Sequence, residues 1–530
     1  MRQSFQRFCL LGLGLAMPFS LAFSQALTHG PVVGGVTAAS ANVFVRTDRA
    51  TNVALRYGTD PNLATYLGTA SVATEEMSDF TKIIPLTGLA AETTYYLNVV
   101  VNGTPHLSAP PFPSFKSFAA AGDSRDFKFA VLTDFTSVDQ LAKTTATFAS
   151  ASAVLPDFVF IGGDFDHRGP HRLEEKRNMF KQLYNRTTPF MSDFVPLILE
   201  RSAIVHQWDD HDAGPNNVDR TYADWPLSQQ AFQEYMSTYP LPSVSPGIWQ
   251  KFNYAQAEFY ALDCRSQRDP GSDPGGADKS MLDGNNLGAT GQFQWLENGL
   301  LTSTARWKVI FTSVVTNPTT KLVDGWGGYQ REWNDLRAFI TANDIKGVVF
   351  ISGDLHLGAI DNGSAAGFPE MCVASANSQK KNQHCATSDQ GTWSEGTFDD
   401  PCTGYGLVTI LTEPDRLILE AVDETGATRV SYTVNADPLT PPTIVMQAKD
   451  QRVRAGASAR FRVSATGSTP LSYQWQKNGM NIPGASEASY ITPPTTAEDN
   501  AATFAVIVSN PAGSITSNSA RLRVKAALTP

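Results

Sequence analysis

Two apolar segments far apart in the chain each lead into a glycine followed by an aspartate, and this arrangement constrains the fold most. The first, residues 157–164, ends in Asp164, and the second, residues 347–356, contains Asp354 and ends in His356. Short apolar runs bounded by glycine are typical of strands buried on both faces of a parallel sheet. Because the carboxyl ends of parallel strands meet at one edge, we expect Asp164 and Asp354 to lie close together.

A third polar cluster lies between these segments, in the sequence Trp-Asp-Asp-His-Asp at residues 208–212. A strand-terminal aspartate is often only a turn or helix-capping residue, and a single acidic run is often a solvated loop. Three carboxylates around one histidine, however, are costly unless a cation compensates them. The three clusters together favour a metal site, since such sites need several convergent ligands.

From residue 127 onward, apolar strands alternate with helical segments. Strands are predicted at residues 127–134, 157–164, 307–311 and 347–354, and helices at residues 140–152 and 333–342. This alternation is typical of a layered α/β domain.

Regions with only strand patterns flank this segment. Residues 27–118 hold short alternating strands, of which residues 86–99 resemble the late strands of a fibronectin type III sandwich, and a proline-rich stretch follows at 109–113. After a second proline break at 438–442, strands around Trp475 resemble an immunoglobulin-like sandwich, with Val463 and Val506 where its cysteines would stand. We therefore predict a multidomain protein with an α/β layered core at residues 119–437, flanked by two all-β sandwiches at residues 27–118 and 442–526.

The composition is that of a globular protein and excludes a general nucleic-acid binder. Of the 530 residues, 42% are hydrophobic and 17% are charged, and the formal net charge is −10 with a pI near 5.3. No basic stripe that could replace phosphate counterions stands out in the sequence, and no module for nucleic-acid binding is expected. An acidic protein can still bind a phosphate ester if metal ions supply positive charge locally.

The first residues have the pattern of an export signal. Arg2 and Arg7 precede an apolar run at residues 8–22, and a small-x-small cleavage site ends at Ala26. A membrane anchor is the weaker alternative, because the run is shorter than a bilayer span and contains Pro18. We predict a signal peptide at residues 1–26, a periplasmic or secreted mature protein, and no membrane span elsewhere.

Four cysteines remain after removal of such a signal peptide, and an even number in an exported chain permits disulfides. Cys385 and Cys402 flank a polar stretch and are the preferred pair. Zinc binding by the cysteines is disfavoured, because none has a close Cys-x-x-Cys partner.

The order of the three polar clusters resembles the alkaline phosphatase D (PhoD-like) family of calcineurin-type metallophosphoesterases. The resemblance rests on Gly-Asp at Asp164, Trp-Asp-Asp-His at residues 208–211 and Ser-Gly-Asp-x-His at residues 352–356, with further agreement at residues 262–268, 292–296 and 324–329. It covers roughly residues 28–435. It implies a metallophosphoesterase core and an exported, metal-dependent phosphohydrolase that cleaves phosphomonoesters, phosphodiesters or both through a metal-bound hydroxide.

Carried over position by position, the resemblance implies a centre with two metal positions. Asp164 would bridge them; Asp134, His167 and His356 would complete the first, and Asp210 and Asp354 would serve the second. His211 would assist the reaction, and Asp212 would orient His211. Asn216 or Asn217 would contact the substrate phosphate. Arg168, Arg265 and Arg268 are candidate phosphate clamps, because guanidinium groups match phosphate oxygens, but they are equally good candidates for structural salt bridges.

Two departures from the family bear on the metal. The family typically has a cysteine where this chain has Asp134 and a tyrosine where it has His167, and both of those residues are ligands of ferric iron. The set here is rich in oxygen and imidazole, which suits two or more divalent ions such as calcium, manganese, magnesium or zinc, with iron as the alternative.

Two other functions stay open at this stage. The same chemistry would support a dedicated phosphodiesterase with a phospholipase D-like outcome. Alternatively, the chain would be a non-catalytic surface adhesion protein with a vestigial centre. The C-terminal sandwich would contact a surface polymer or act as a spacer.

Overall fold

The computed structural model describes residues 26–526 except 136–144, 189–190, 245, 274–277, 378–389, 400–401, 469–470 and 511. The predicted signal peptide and Cys385 lie outside the described residues. Cys402 is buried and disulfide-bonded, whereas Cys264 and Cys372 are buried free thiols. The pairing of Cys402 with Cys385 therefore stays a prediction.

The N-terminal region consists of short strands: β1 Leu27–Gly34, β2 Ser40–Thr47, β3 Asn52–Gly58, β4 Leu67–Gly68, β5 Val72–Ala73, β6 Thr81–Thr87, β7 Thr94–Val101, β8 Thr104–Pro105 and β9 Ser114–Lys116. Strands β1, β2 and β6 form one layer, and β3, β4, β5, β7, β8 and β9 form the other. Their inward side chains alternate with polar ones, as a two-layer sandwich requires.

The central region alternates strands and helices: β10 Phe127–Leu132, α1 Ala146–Ala153, β11 Phe158–Ile161, α2 Leu173–Leu183, β12 Ala203–His206, α3 Asp210–Ala213, α4 Trp225–Tyr235, β13 Gln250–Tyr254, β14 Ala257–Ala261, α5 Gln292–Thr302, β15 Trp307–Phe311, α6 Gln330–Ala342, β16 Val348–Ser352, β17 Gly358–Asn362, β18 Pro369–Cys372, β19 Gly396–Phe398, β20 Gly404–Thr412, β21 Asp415–Asp423 and β22 Thr428–Asn435. Short helical turns occur at Val195–Leu199, Gly288–Thr290 and Trp326–Gly328 in this region, and at Glu76–Ser78 and Ala497–Asp499 in the flanking regions. The predicted α/β core is thus confirmed.

Two mixed sheets pack face to face in the core. The first has the order β22-β21-β20-β10-β11-β12-β1-β2-β6, and the second has the order β13-β14-β15-β16-β18-β17-β19. Strands β10, β11 and β12 are parallel, as are β14, β15, β16 and β18. Aromatic side chains fill the space between the sheets; the rings of Phe160 and Phe311 stack across it with centroids 3.5 Å apart.

Helices cover the outer faces of both sheets. Phe148 of α1, Phe180 of α2 and Phe232 of α4 pack on the first sheet, and Leu296 of α5 and Leu336 of α6 pack on the second. The core is therefore a four-layer arrangement of helices, sheet, sheet and helices. Each parallel strand is buried on both faces, which explains the continuous apolar runs in the sequence.

The N-terminal sandwich is joined to this core by a shared sheet. Strand β1 pairs in parallel with β12 through Gly34 and Ile204. Side chains of both regions, such as Leu97 and Phe158, belong to one continuous hydrophobic cluster. The sheet therefore crosses the domain boundary that the sequence placed at residue 118.

The C-terminal region is a separate sandwich of strands: β23 Thr443–Met446, β24 Gln451–Arg454, β25 Arg460–Arg462, β26 Ser464–Thr466, β27 Ser472–Lys477, β28 Met480–Asn481, β29 Ser489–Ile491, β30 Thr503–Asn510, β31 Gly513–Thr516 and β32 Ala520–Lys525. Its hydrophobic cluster is its own and centres on Trp475 and Phe461, with Val463 and Val506 buried among the aromatic rings. Packing of these side chains occupies the interior that an inter-sheet disulfide would otherwise cross.

Among the described residues, no helix is both long enough and apolar enough to cross a membrane.

Candidate metal centre

The carboxylates identified in the sequence follow the carboxyl ends of parallel strands from both sheets. Asp134 follows β10, Asp164 follows β11 and Asp354 follows β16. All three residues have a positive φ, at 54°, 54° and 68°, and His356 has a φ of 55°. Non-glycine residues in this region are strained and tend to cluster at functional sites. The strand ends are thus shaped to turn these side chains toward one another.

Gly163 allows the closest approach of these loops. Its φ is +104°, and a Cβ added there would lie 2.4 Å from the backbone nitrogen of Asp209. Only glycine fits this position, because any side chain would collide with the loop that follows β12. Gly163 therefore brings Asp164 next to the Asp-rich segment at residues 208–212.

Asp164 occupies the middle of the cluster. Potential ligand atoms lie within 4.8 Å of one another in three groups, and each group contains Asp164. The groups are Asp164 with His167 and His356, Asp164 with Asp210 and His211, and Asp164 with Asp209 and Asp354. A single carboxylate shared by all groups is the arrangement expected of a bridging ligand.

Three imidazole rings surround the opening above the buried carboxylates. The side chains of His167, His211 and His356 are 12%, 14% and 15% exposed, whereas that of Asp164 is 2% exposed. The ring of His167 lies 4.7 Å from that of His211 and 5.4 Å from that of His356, measured between centroids. The histidines are therefore the groups that an incoming ligand meets first.

Asp134 and His356 are neighbours at one side of the cluster. Nε2 of His356 lies 3.4 Å from Oδ1 of Asp134, and the backbone N–H of Asp354 donates to Oδ2 of Asp134 at 3.3 Å. On the other side, the backbone N–H of Asn217 donates to Oδ2 of Asp210 at 2.6 Å. The structure thus brings together all six residues that the sequence assigned to metal binding.

Asp212 does not have the role that the sequence assigned to it. Its carboxylate accepts three backbone N–H groups, from Asp164 at 2.7 Å, Phe165 at 2.8 Å and Asp209 at 2.8 Å. These bonds tie the loop after β11 to the loop after β12. Asp212 therefore positions the backbone at Asp164 and not the ring of His211, which corrects the prediction.

Arg265 is also corrected, because it is not an accessible phosphate clamp. Its side chain is completely buried, and its fork binds both carboxylate oxygens of Asp209, one of them from Nη2 at 2.9 Å. Nη1 binds Asp324 at 2.8 Å. Longer contacts reach Asp210 at 3.7 Å and Asp354 at 3.9 Å. The structural salt bridge, which was the alternative interpretation, is what the structure shows.

Arg268 has the same structural function. It is buried, and its guanidinium lies 2.7 Å from a carboxylate oxygen of Asp324 and donates to the carbonyl of Val218 at 3.1 Å. All of these partners belong to the protein. The prediction of a substrate clamp at Arg268 is therefore corrected as well.

The other predicted substrate contacts lie at the surface. Arg168 is 40% exposed and pairs with Asp166. Asn216 and Asn217 are exposed, and Asn217 has a φ of 60°. These positions leave the three side chains accessible beside the centre, and their contact with substrate stays a prediction.

Two residues at the centre were missed by the sequence analysis. Asp209 was treated only as part of the acidic run, yet its carboxylate belongs to one of the ligand groups. Nζ of Lys321 lies 3.2 Å from Oδ2 of Asp354. Nothing in the local sequence marks Lys321, which lies between two threonines and the apolar pair Leu322 and Val323, and only the tertiary structure places it beside Asp354.

The carboxylate cluster is short of positive charge. Burial and the neighbouring carboxylate of Asp210 raise the pKa of Asp164 well above its usual range. Burial and Asp209 raise the pKa of Asp134 to about 8. Burial also raises the pKa of Asp354 well above its usual range, although Lys321 opposes the shift. A nearby cation would stabilise the ionised form of these three carboxyl groups, because it supplies the positive charge that the cluster lacks.

Arg265 supplies positive charge on the side of the cluster where Asp210 and Asp324 lie. Burial disfavours the ionised form of Asp210, yet the charges of Arg265 and His211 lower the pKa of that carboxyl. The same balance holds at Asp324, where Arg265 and Arg268 outweigh burial and the pKa lies well below its usual range. Positive charge is therefore present beneath the cluster, and the deficit is greatest around Asp164 and Asp134.

Comparison with known proteins gives two family matches along the chain. Residues 166–405 match the model of the PhoD-like phosphatase family, and residues 24–118 match a domain of unknown function, DUF7800. The first match contains most of the ligand cluster and begins shortly after Asp164.

Curated relatives match over parts of their length. Alkaline phosphatase D of Bacillus subtilis (strain 168) is 29% identical over 180 residues, which is 29% of this chain and 30% of that protein. The decoration protein of Escherichia phage T5 is 44% identical over 59 residues, which is 11% of this chain and 35% of that protein. The matched stretches thus span about a third of these relatives.

A solved structure described as the structure of PhoD matches almost the whole chain. It covers 93% of this chain and 93% of its own, with a TM-score of 0.58 and 17% sequence identity. At this identity the match shows a shared fold.

Proposed function

This chain belongs to the PhoD-like phosphatase family, and from that membership we propose that it hydrolyses phosphate esters with the help of bound metal ions. The observation that carries the proposal is the position of Asp164, whose carboxylate belongs to every ligand group at the strand ends. A carboxylate shared in this way can hold two cations next to each other.

The residues at the centre fit divalent metal ions. Oδ1 of Asp134 is buried and makes no hydrogen bond within the described part of the chain, although Nε2 of His356 lies 3.4 Å away. A buried carboxylate oxygen without a hydrogen bond is costly, and a cation would compensate its charge. We assign the ions to the following set: Asp134, Asp164, His167, Asp210, Asp354 and His356, with Asp209 added by the structure. When bound, the ions would supply positive charge to the phosphoryl oxygens and lower the pKa of water.

The histidine at the rim has a separate role in the proposal. The backbone N–H of His211 donates to Oδ1 of Asp210 at 2.7 Å and to Oδ1 of Asp164 at 3.3 Å, so its position follows that of the ligands. Its side chain is 14% exposed, and its ring lies 4.7 Å from that of His167, measured between centroids. We assign His211 to protonating the leaving oxygen of the ester. Asn216, Asn217 and Arg168 are accessible beside it and would contact the phosphate.

The proposed substrate class includes both monoesters and diesters, and a dedicated phosphodiesterase is the nearest alternative. p-Nitrophenyl phosphate and bis(p-nitrophenyl) phosphate separate these possibilities, since each releases the same coloured product. We expect turnover of at least one ester by the metal-loaded protein. The absence of turnover of both esters, with each divalent ion added in turn, would instead support the adhesion protein with a vestigial centre.

Metal removal is expected to abolish this turnover reversibly. Aspartate and imidazole donors suit manganese, calcium, magnesium or zinc and do not select ferric iron. We therefore expect a nearly colourless protein that chelators inactivate and a divalent ion restores without an oxidation step. Elemental analysis and a visible spectrum of protein purified without added metal are the measurements. Stoichiometric ferric iron with an intense visible band would contradict the assignment of Asp134 and His167.

Export from the cytoplasm is part of the proposal, and the support for it is the sequence pattern at residues 1–26. A disulfide at Cys402 is consistent with an oxidising compartment.

The C-terminal sandwich is proposed to be dispensable for chemistry, because its hydrophobic cluster is separate from that of the core. A chain ending at Asp437 should keep its turnover of small esters within about twofold, since independent cores fold independently. The full-length protein, assayed with the same metal content, is the reference. A large loss of turnover in a folded, metal-loaded truncation would show that the sandwich contributes to the centre.

A further inference from the structure

The C-terminal sandwich has the opposite charge from the rest of the chain. Residues 442–526 contain nine lysines or arginines and four aspartates or glutamates, whereas the whole chain contains 41 and 51. The remainder of the protein is therefore strongly acidic, and the sandwich is basic. Such an asymmetry between domains points to a partner of its own for the basic domain.

Five of the basic side chains share one face. Strands β24 and β32 pair in parallel, with Arg452 opposite Arg523 and Arg454 opposite Lys525. Arg521 lies two residues before Arg523 on the same side of β32. All five are exposed, while Ala520 and Leu522 point into the core. We call these five residues the basic strip.

The basic strip is not explained by the needs of the fold. Like charges directly opposite each other on neighbouring strands are destabilising. Charges on β24 would protect the edge of the sheet, but β32 lies inside the sheet between β24 and β30. Within the described residues, none of the five side chains forms an ion pair with a carboxylate. Positive charge is therefore concentrated and available to a ligand.

The size and surroundings of the basic strip restrict the ligand. From Arg521 to Lys525 the strip extends roughly 13 Å, and it is two strands, or about 5 Å, wide. A duplex nucleic-acid module buries about 600–1,000 Å², far more than this strip offers. Beside it, the outward side chains of β30 are Thr503, Ala505 and Ile507, which provide no aromatic ring for stacking bases. A single extended chain with regularly spaced anionic groups fits best.

We propose that the basic strip binds a linear acidic polysaccharide, whose sugar carboxylates pair with the guanidinium groups. The pairing is charge-assisted and exposed, so it is salt-dependent and its strength comes from several weak contacts. The polysaccharide would hold the enzyme at a polymer surface while the acidic catalytic domain stays free. Binding at the basic strip does not depend on the reaction proposed for the metal centre.

The test is binding of the full-length protein to polygalacturonate, with neutral dextran as the reference polymer. We expect binding to polygalacturonate alone, weakening as salt is raised. The double variant R452Q/R523Q should bind at least about fivefold more weakly, since each exposed pair contributes little and two are lost. Turnover of small esters should be unchanged, and the variant should unfold at the same temperature or slightly higher, because two opposed like charges are removed.

The chain offers a control with the same change of charge. Arg460 and Arg462 are exposed on β25, where Phe461 packs inward against Phe504, so they lie on the opposite outer face of the sandwich. R460Q/R462Q should bind polygalacturonate within twofold of the unsubstituted protein. Equal losses in both double variants, absence of binding at low salt, or tighter binding to single-stranded DNA or to anionic lipid vesicles would overturn the proposal.

Discussion

Replacing Asp164 by alanine is expected to abolish hydrolysis, with turnover lower by more than about 100-fold. Removing a residue that only supports a metal ligand costs about 10–100-fold in metal affinity or activity. Asp164 belongs to all three ligand groups, so its loss affects every metal position at once. Turnover and bound metal should therefore fall together, as measured by ester hydrolysis and elemental analysis after loading with a divalent ion.

Two measurements separate this effect from misfolding. The chelator-treated Asp164→Ala protein should unfold at the same temperature as the chelator-treated unsubstituted protein or higher, because the substitution removes one carboxylate from a crowded acidic cluster. His211→Ala is the matched variant at the same centre; it should lower kcat by about 10²–10⁴-fold and retain the metal. A metal-replete Asp164→Ala protein with unchanged turnover would falsify the shared-ligand assignment. Loss of metal from His211→Ala would identify His211 as a ligand.

Replacing Arg265 by alanine is expected to lower the free energy of unfolding by about 3–5 kcal/mol, which is the usual cost of breaking a buried ion pair. The substitution leaves the carboxylates of Asp209 and Asp324 buried, although Arg268 still contacts Asp324. The measurement is urea unfolding of chelator-treated protein, in which no metal compensates the freed charges. Adding a divalent ion should recover part of the loss.

An exposed pair of the same chemistry provides the reference. Arg49 pairs with Asp48 at 2.9 Å while 47% exposed, so Arg49→Ala should cost about 0–1 kcal/mol. If Arg265→Ala does not fold, Arg265→Lys is the second variant, because it keeps the charge but loses the guanidinium fork. Its loss of unfolding free energy should lie between the losses expected for Arg265→Ala and Arg49→Ala. A loss below about 1 kcal/mol for a folded Arg265→Ala protein would show that the buried network is not needed for stability.

Several elements could be predicted from the sequence because their signals are local. The apolar runs at residues 157–164 and 347–356 became β11 and β16, and the helical pattern at residues 333–342 became most of α6. Asp164 and Asp354 were expected to share one sheet edge, whereas β11 and β16 belong to different sheets, and the packing of these sheets brings the strand ends together. The ligand set around Asp164 was assigned through its resemblance to a family.

Errors arose where a side chain has two possible partners. Arg265 and Arg268 have the chemistry of phosphate clamps, and the sequence does not show whether a carboxylate of the protein reaches them first. Asp212 could orient a neighbouring histidine or accept backbone N–H groups. In the folded chain the loops after β11 and β12 come together at Gly163, and three N–H groups face Asp212.

The sequence by itself determined the periodicity of the strands, the carboxylates at their ends and the charge of each region, since these depend only on neighbouring residues. The tertiary structure alone decided which charges meet. Lys321 comes to lie beside Asp354, and Arg265 beneath Asp209, because two separate sheets align their strand ends over the same opening. Contacts of this kind join residues that are distant in the chain, and packing of the two sheets sets them.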